Sequence, residues 1–245
     1  MDAQTLAWLA LCLAVAATLY SSVGHGGASS YIALMTLFGL APAEVRPAAL
    51  VLNILVAGLG AVRYVRAGRF DWDVFWPFAI AAIPAAFLAG RIEIPPTLYR
   101  PLLAVALSLA AARYLLWPQI DAAKETRPPP RWLALLAGGL LGALAGLTGI
   151  GGGVYLSPLL VYAGWSDAQK ATGIAALFIV VNSLAGLAGR LSSLATLPAY
   201  LPWLAFAVLI GTVIGTTISL ARLDKKAILR ALGIVLGVAA AALVT

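Results

Sequence analysis

Apolar residues fill long runs of this chain, and polar residues gather between the runs. Ten runs can be drawn, at 5–22, 28–40, 47–65, 74–90, 98–117, 132–148, 154–165, 171–190, 198–220 and 227–245. Many approach the roughly 20 residues that a transmembrane helix needs, and none shows the period-two alternation of a membrane β-strand. The pattern therefore predicts an all-α integral membrane protein with eight to ten spans, some of them short or broken.

Glycine interrupts this apolar pattern at two places. One interruption is SVGHGG at 22–27, and the other is TGIGGG at 148–153. Glycine is a poor helix former, so a cluster of it favours unwinding. Unwound backbone at membrane depth persists only where it is buried in protein or lines a polar cavity. Matching interruptions in two halves of a chain predict the binding site of a transporter.

The composition is typical of a membrane protein and argues against nucleic acid as a partner. Hydrophobic residues make up 62% of the chain and charged residues 10%, whereas a soluble domain carries about 25% charged residues. The net charge of +7 is explained by the cationic cytoplasmic loops of membrane proteins. No basic segment interleaved with aromatic residues is present, so nucleic-acid binding is not expected.

The two sets of runs align as an internal repeat. Gly26 precedes Gly152 by 126 positions, and Asn53 precedes Asn182 by 129. The stretch between the sets holds four of the 14 prolines. We therefore divide the chain into a first membrane repeat at 1–117, a proline-rich cytoplasmic linker at 118–131 and a second membrane repeat at 132–245.

The distribution of basic residues favours an inverted relation between these repeats. If the linker is cytoplasmic and all ten segments cross, 12 of the 16 Lys and Arg residues lie on the cytoplasmic side. Such a bias is typical of cytoplasmic loops. Five segments in each half reverse the direction of the second half and place both termini outside. A re-entrant hairpin in either half would change that count and the sidedness.

Carboxylates are missing from the middle of the predicted spans. All nine Asp and Glu residues lie in loops or at helix ends. Coupling to protons or sodium ordinarily uses an intramembrane carboxylate, so cation transport is disfavoured. One histidine and one cysteine cannot supply three or four metal ligands, and we expect neither a metal nor another cofactor.

Backbone amides, hydroxyls and side-chain amides remain as the means of binding a solute. Helices that restart after the glycine clusters aim free N–H groups and a positive dipole end at the break, which suits a small anion. The candidate substrate-binding residues are Ser22, Gly24, His25, Gly26, Gly27, Asn53, Thr148, Gly149, Gly151, Gly152, Gly153 and Asn182. Arg46 and Lys170 align and are candidates for gating. Close helix packing by glycine and interhelical hydrogen bonding by asparagine are the alternative interpretations.

These motifs resemble the TauE/SafE-type sulfite exporters of the 4-toluene sulfonate uptake permease superfamily. The similarity rests on the glycines at 149–153 followed by Pro158, on KATG at 170–173, and on the duplication. The first half departs from the pattern, because His25 is inserted and no proline follows in the segment Ser30-Tyr31-Ile32. The resemblance implies transport of sulfite, sulfonates or related anions.

Export from the cell across its plasma membrane is the favoured function, because a negative interior drives an anion outward without a coupling ion. The expected partners are the anion and the lipid bilayer, with a homodimer left open. An anion channel and a transporter of another small solute are alternatives. An intramembrane enzyme using Ser22 as nucleophile and His25 as base is a further one, since the two lie on one helical face.

Overall fold

The computed structural model describes residues 1–22, 24–116, 126–191, 195, 197–220, 230, 233–234, 237 and 240–241. Helices account for the regular structure in this part of the chain. They are α1 (Ala3–Ser22), α2 (Ala28–Leu37), α3 (Pro42–Arg66), α4 (Trp72–Gly90), α5 (Pro96–Leu116), α6 (Arg131–Thr148), α7 (Gly153–Tyr162), α8 (Ala168–Ala188) and α9 (Leu201–Leu220). The prediction of an all-α membrane protein is confirmed.

Six of these helices are long and apolar enough to cross a bilayer, namely α1, α3, α4, α6, α8 and α9. The helices that follow the glycine breaks, α2 and α7, have only 10 residues each. Large apolar side chains such as Trp8, Leu140 and Phe206 are exposed, as expected of a surface that faces lipid. Most of the linker and of the tenth run lies outside the described residues, and the count of eight to ten spans stays a prediction.

The helices pack in pairs that join the two halves of the chain. In these pairs α1 packs against α9, α4 against α6, and α3 against α8. Glycine permits the closest approaches: a methyl group at Gly142 of α6 would overlap the carbonyl of Ala82 in α4, and one at Gly215 of α9 would overlap that of Thr18 in α1. Small residues that let backbones touch are typical of helix packing in membranes.

The helix pairs can be described by their places in the two predicted halves of the chain. Each outer pair joins the first helix of one half to the fourth helix of the other, and α3 and α8, the third helices, meet at the centre. Arg63 donates to the carbonyl of Val213 in α9 at 2.9 Å, and Arg190, which is 127 positions later, donates to that of Gly90 in α4 at 2.8 Å. The repeat and its inverted orientation both stay predictions.

Candidate functional site at the two glycine breaks

The first break begins where a glycine ends α1. The amide of Gly24 donates to the carbonyl of Ser21 at 3.1 Å, and the amide of His25 donates to that of Tyr20 at 2.8 Å. Gly24 has φ of +80°, which lets the chain leave the helix in the left-handed conformation that glycine tolerates best. Gly27, also left-handed, precedes α2 and offers no side chain to cap it.

The second break contains three left-handed glycines, against two in the described part of the first. Gly149, Gly151 and Gly152 have φ of +82°, +85° and +74°. The amide of Gly149 donates to the carbonyl of Ala145 at 2.8 Å and ends α6. Helix α7 begins at Gly153, again without a side-chain cap. Both short helices therefore begin after a glycine, which has no side chain with which to cap the first N–H groups.

Asn53, in the middle of α3, lies between the two breaks. Its Nδ2 donates to Ser183 Oγ at 3.0 Å and approaches the carbonyl of Ile150 at 3.5 Å. A methyl group at Gly26 would overlap Asn53 Oδ1, and one at Gly151 would lie 2.6 Å from Asn53 Nδ2. The backbone of both breaks therefore converges on one buried amide, which leaves no room for any residue larger than glycine.

Helix α8 forms the opposite wall of this site. Added methyl groups at Gly26 and Gly151 would lie 3.1 and 2.9 Å from Ile179 Cγ2. Asn182 follows Ile179 by three positions and lies on the same helical face. It is 1% exposed, and neither its Nδ2 nor its Oδ1 has a hydrogen-bond partner within the described part of the chain.

The other polar candidates at the breaks are buried too. His25 is 5% exposed, and its imidazole is hydrogen bonded to the backbone of Gly153 at the start of α7. Ser22 Oγ donates to the carbonyl of Leu19 at 2.6 Å, and Thr148 Oγ1 to that of Leu144 at 2.7 Å. The proton of Ser22 is thus directed into its own helix rather than toward His25, an arrangement unlike a nucleophile and its base.

Arg46 and Lys170, which align in sequence, lie in different surroundings. The guanidinium of Arg46 is buried, donates to the carbonyl of Leu147 near the end of α6 and covers the ring of Tyr99 at 4.6 Å. Lys170 is partly exposed and pairs with Asp71 at 3.5 Å. Arg46 therefore contacts the approach to the second break, whereas Lys170 contacts the start of α4.

The sequence patterns did not point to several residues that contact the helix ends at the two breaks. The hydroxyl of Tyr99 donates to the carbonyl of Thr148 at 2.9 Å, and that of Tyr64 lies 3.0 Å from the carbonyl of Ser21. A tyrosine near the end of a span is typical of the membrane interface. Nothing in the sequence therefore distinguished Tyr64 or Tyr99 from an ordinary interface residue. Ser183, the partner of Asn53, directly follows the aligned Asn182, and that adjacency was the one available sign.

Comparison with known proteins identifies the family. The family model described as Sulfite exporter TauE/SafE matches residues 9–243. The chain belongs to the TauE/SafE family. A curated protein of Sinorhizobium fredii (strain NBRC 101917 / NGR234), "Probable membrane transporter protein y4hK", is 36% identical over 221 residues, which cover 89% of each chain. No solved structure gives a significant match. The family and this relative indicate a multi-pass membrane transporter.

Proposed function

We propose that this TauE/SafE transporter exports small sulfur-containing anions, such as sulfite or organosulfonates, across the plasma membrane. The observation that carries the proposal is that both breaks contact Asn53, through Gly26 and Gly151, and that each leads into a helix whose N-cap glycine makes no side-chain cap bond. Helix N-termini bind anions through free N–H groups and the positive end of the helix dipole. An oxyanion between α2 and α7 would accept hydrogen bonds from both.

Asn182 supports the same site. An amide that is buried without a partner costs roughly 1–3 kcal/mol, so its presence calls for a ligand or a function. The Asn182 Nδ2 group can donate to an anion oxygen. Because no Asp or Glu lies in the described breaks, no fixed negative charge would oppose the anion.

The proposed direction of transport, out of the cell, is argued from the membrane potential. A monovalent anion that leaves a cell gains about 2.3 kcal/mol per 100 mV, which is about fiftyfold in concentration. Export therefore requires no coupling ion. In the proposed cycle, the two halves move around a fixed site at the glycine breaks and expose it to one side at a time.

Flux in reconstituted vesicles tests this function. Vesicles holding the purified chain are loaded with radiolabelled sulfite or ethanesulfonate, and a potential is imposed with a potassium gradient and valinomycin. We expect efflux that rises with an interior-negative potential and that unlabelled anion on the opposite side accelerates. Vesicles holding the Gly151→Ala protein are the matched control, because a methyl group there would meet Asn53 and Ile179.

Other results would contradict the proposal in distinct ways. Absence of any sulfite or sulfonate flux would exclude these substrates. Efflux indifferent to the potential would exclude potential-driven export. Conduction that unlabelled anion on the opposite side does not accelerate would identify an anion channel.

A further inference from the structure

Several helix ends meet at one end of the helix bundle. A methyl group at Gly173, in the second turn of α8, would overlap the carbonyl of Arg69, which follows the end of α3. Lys170, near the start of α8, pairs with Asp71 at 3.5 Å, and Asp71 caps the start of α4. The end of α3 and the starts of α4 and α8 therefore lie side by side.

Helix α6 begins at the same end of the bundle. A methyl group at Gly138 of α6 would overlap the carbonyl of Phe78 in α4, and one at Gly142 would overlap that of Ala82, four positions later in both helices. Because the positions in contact rise together, α4 and α6 run in the same direction. Arg131, the first residue of α6, therefore lies level with the start of α4.

Basic side chains gather at this end, and we call them the basic patch. Its members are Arg66, Arg69, Arg127, Arg131 and Lys170. All of them are exposed or partly exposed. The amide of Arg127 donates to the carbonyl of Gly164 at 2.9 Å, and the next residue, Trp165, has its ring 6.0 Å from that of Phe78 in α4. The fold thus brings cations from three separate segments of the chain to one surface.

The carboxylates at this end do not compensate that charge. Within the described residues they are Asp71, Asp73 and Asp167, against five basic residues, which leaves an excess of two positive charges. Asp71 caps α4, and Asp167 caps α8 by accepting from two of its amides at 2.9 Å each. These two charges therefore offset the positive ends of their own helices. The start of α6, after Pro130, has no side-chain cap and adds its own positive end.

Exposed tryptophans indicate the depth of this surface in the bilayer. Trp72 and Trp76 of α4 are exposed, and their stacked rings lie 6.1 Å apart. The ring of Phe70 lies 4.6 Å from that of Trp72, and Trp132, in the first turn of α6, is exposed as well. Tryptophan is enriched at the headgroup level of membranes, so the basic patch lies beside the phosphate groups of the bilayer.

The opposite end of the bundle uses its arginines differently. Arg46 is buried against the carbonyl of Leu147, and Arg190 donates to that of Gly90 at 2.8 Å. The four guanidinium groups of the basic patch, in contrast, form no hydrogen bond or ion pair with other residues that the structure describes. They are therefore available to a ligand from outside the chain.

We propose that the basic patch binds the headgroup phosphate of an anionic phospholipid, whose acyl chains lie beside Trp72 and Trp76. Arginine suits this ligand because its planar guanidinium donates two parallel hydrogen bonds to phosphate oxygens. Clusters of four or more Lys and Arg next to transmembrane helices are typical of anionic-lipid recognition. Along α3 the patch begins about 20 Å from Asn53, given the 1.5 Å rise per residue, so the inference holds whichever anion is transported.

Thermal stability in lipid nanodiscs tests the site. The purified chain is placed in discs of phosphatidylcholine alone or with an equal part of phosphatidylglycerol. Because a ligand of the folded state stabilises it, we expect phosphatidylglycerol to raise the melting temperature by about 4 °C or more. The triple variant Arg66→Gln, Arg69→Gln, Arg131→Gln turns the excess of two positive charges into one negative charge and should lose this rise. Arg91→Gln, at an exposed position of the opposite end, is the control and should keep it.

Tryptophan fluorescence gives a second measure that is independent of stability. Phospholipids brominated on their acyl chains quench nearby tryptophans, and the contribution of positions 72 and 76 is the difference between the parent and Trp72→Phe/Trp76→Phe. At equal mole fraction we expect brominated phosphatidylglycerol to quench these two residues at least about twofold more strongly than brominated phosphatidylcholine. This preference should vanish in the triple variant and persist in Arg91→Gln.

Several results would overturn the proposal. Equal quenching by the two brominated lipids in the parent protein would do so without any variant. An unchanged effect of phosphatidylglycerol in the triple variant would show that the basic patch does not bind the lipid. Loss of the effect in Arg91→Gln as well would indicate a diffuse response to surface charge. If inorganic phosphate reproduced the rise in discs of phosphatidylcholine alone, the patch would be a site for soluble phosphate.

Discussion

The two glycine breaks differ in how the helix ends beside them are held. At the second break, Arg46 and Tyr99 bind the carbonyls of Leu147 and Thr148, and three left-handed glycines follow. At the first break, the hydroxyl of Tyr64 lies 3.0 Å from the carbonyl of Ser21 at the end of α1, and two left-handed glycines, Gly24 and Gly27, follow. The helix end at the second break is thus contacted by a charged group, Arg46, whereas the helix end at the first break is contacted by the neutral hydroxyl of Tyr64.

Helix α3 explains how one protein contains both arrangements. Arg46 near its start contacts α6, Asn53 near its middle contacts both breaks, and Tyr64 near its end contacts α1. Both breaks contact α3, but each contacts different residues of that helix. The two breaks therefore have similar backbones, and their different contacts with α3 make them unequal.

The largest expected effect on flux comes from Gly151→Ala, which tests whether the second break requires glycine at this position. At φ of +85° an L-residue costs about 1–2 kcal/mol, and the added methyl group would lie 2.6 Å from Asn53 Nδ2 and 2.9 Å from Ile179 Cγ2. We expect anion flux to fall to the background of empty vesicles. Gly58→Ala, a helical glycine of α3 with no atom within 4 Å of an added Cβ, should keep normal flux. Equal flux in both variants would show that the break tolerates a side chain.

The next largest effects are expected from substitution of the two asparagines, which should differ in their effect on thermal stability. Asn53 donates to Ser183 and Ile150, whereas Asn182 is buried without a partner within the described residues. Asn182→Leu should abolish flux yet keep or raise thermal stability, because an unpaired amide costs roughly 1–3 kcal/mol to bury. Asn53→Leu should abolish flux and lower the melting temperature. Melting curves in detergent and vesicle flux measure both. Loss of stability in Asn182→Leu would mean that its amide serves the fold.

Arg46→Ala tests whether the charged hydrogen bond at the second break contributes more to stability than the neutral one at the first. Its removal leaves the carbonyl of Leu147 without this donor, and a hydrogen bond to a charged group contributes about 1.5–3 kcal/mol. We expect the melting temperature to fall by roughly 5 °C or more. Tyr64→Phe, which removes the hydroxyl at the first break, should cost less, because that bond is between neutral groups. A larger loss in Tyr64→Phe would reverse the comparison. Arg91→Ala, at an exposed position, is the control.

The sequence was sufficient for the parts of this fold that depend on local composition. Apolar runs predicted the long helices, and glycine clusters predicted that α1 and α6 end where they do, since left-handed backbone requires glycine there. The spacing between Asn53 and Asn182 also pointed to equivalent positions on α3 and α8, which pack together.

The unequal surroundings of these positions could not be predicted in the same way. Tyr99 reaches Thr148, and Tyr64 reaches Ser21, only because helices distant in the chain pack side by side. Pairwise alignment likewise treats Arg46 and Lys170 as equivalent, although one is buried against Leu147 and the other pairs with Asp71. Burial and partner choice depend on tertiary packing, which no local pattern encodes.

The smallest expected effect is that of Lys170→Ala, and it sharpens the comparison with Arg46. The 3.5 Å pair with Asp71 is partly exposed, and such ion pairs contribute about 0–1 kcal/mol. Asp71 also accepts from the amide of Val74 at the start of α4, so it keeps a partner when the lysine is lost. We expect a melting temperature within about 2 °C of the parent and nearly unchanged flux. Asp71→Ala, which removes the cap as well, should be more destabilising. If Lys170→Ala instead abolished flux, Lys170 would have a gating role despite its partly exposed ion pair.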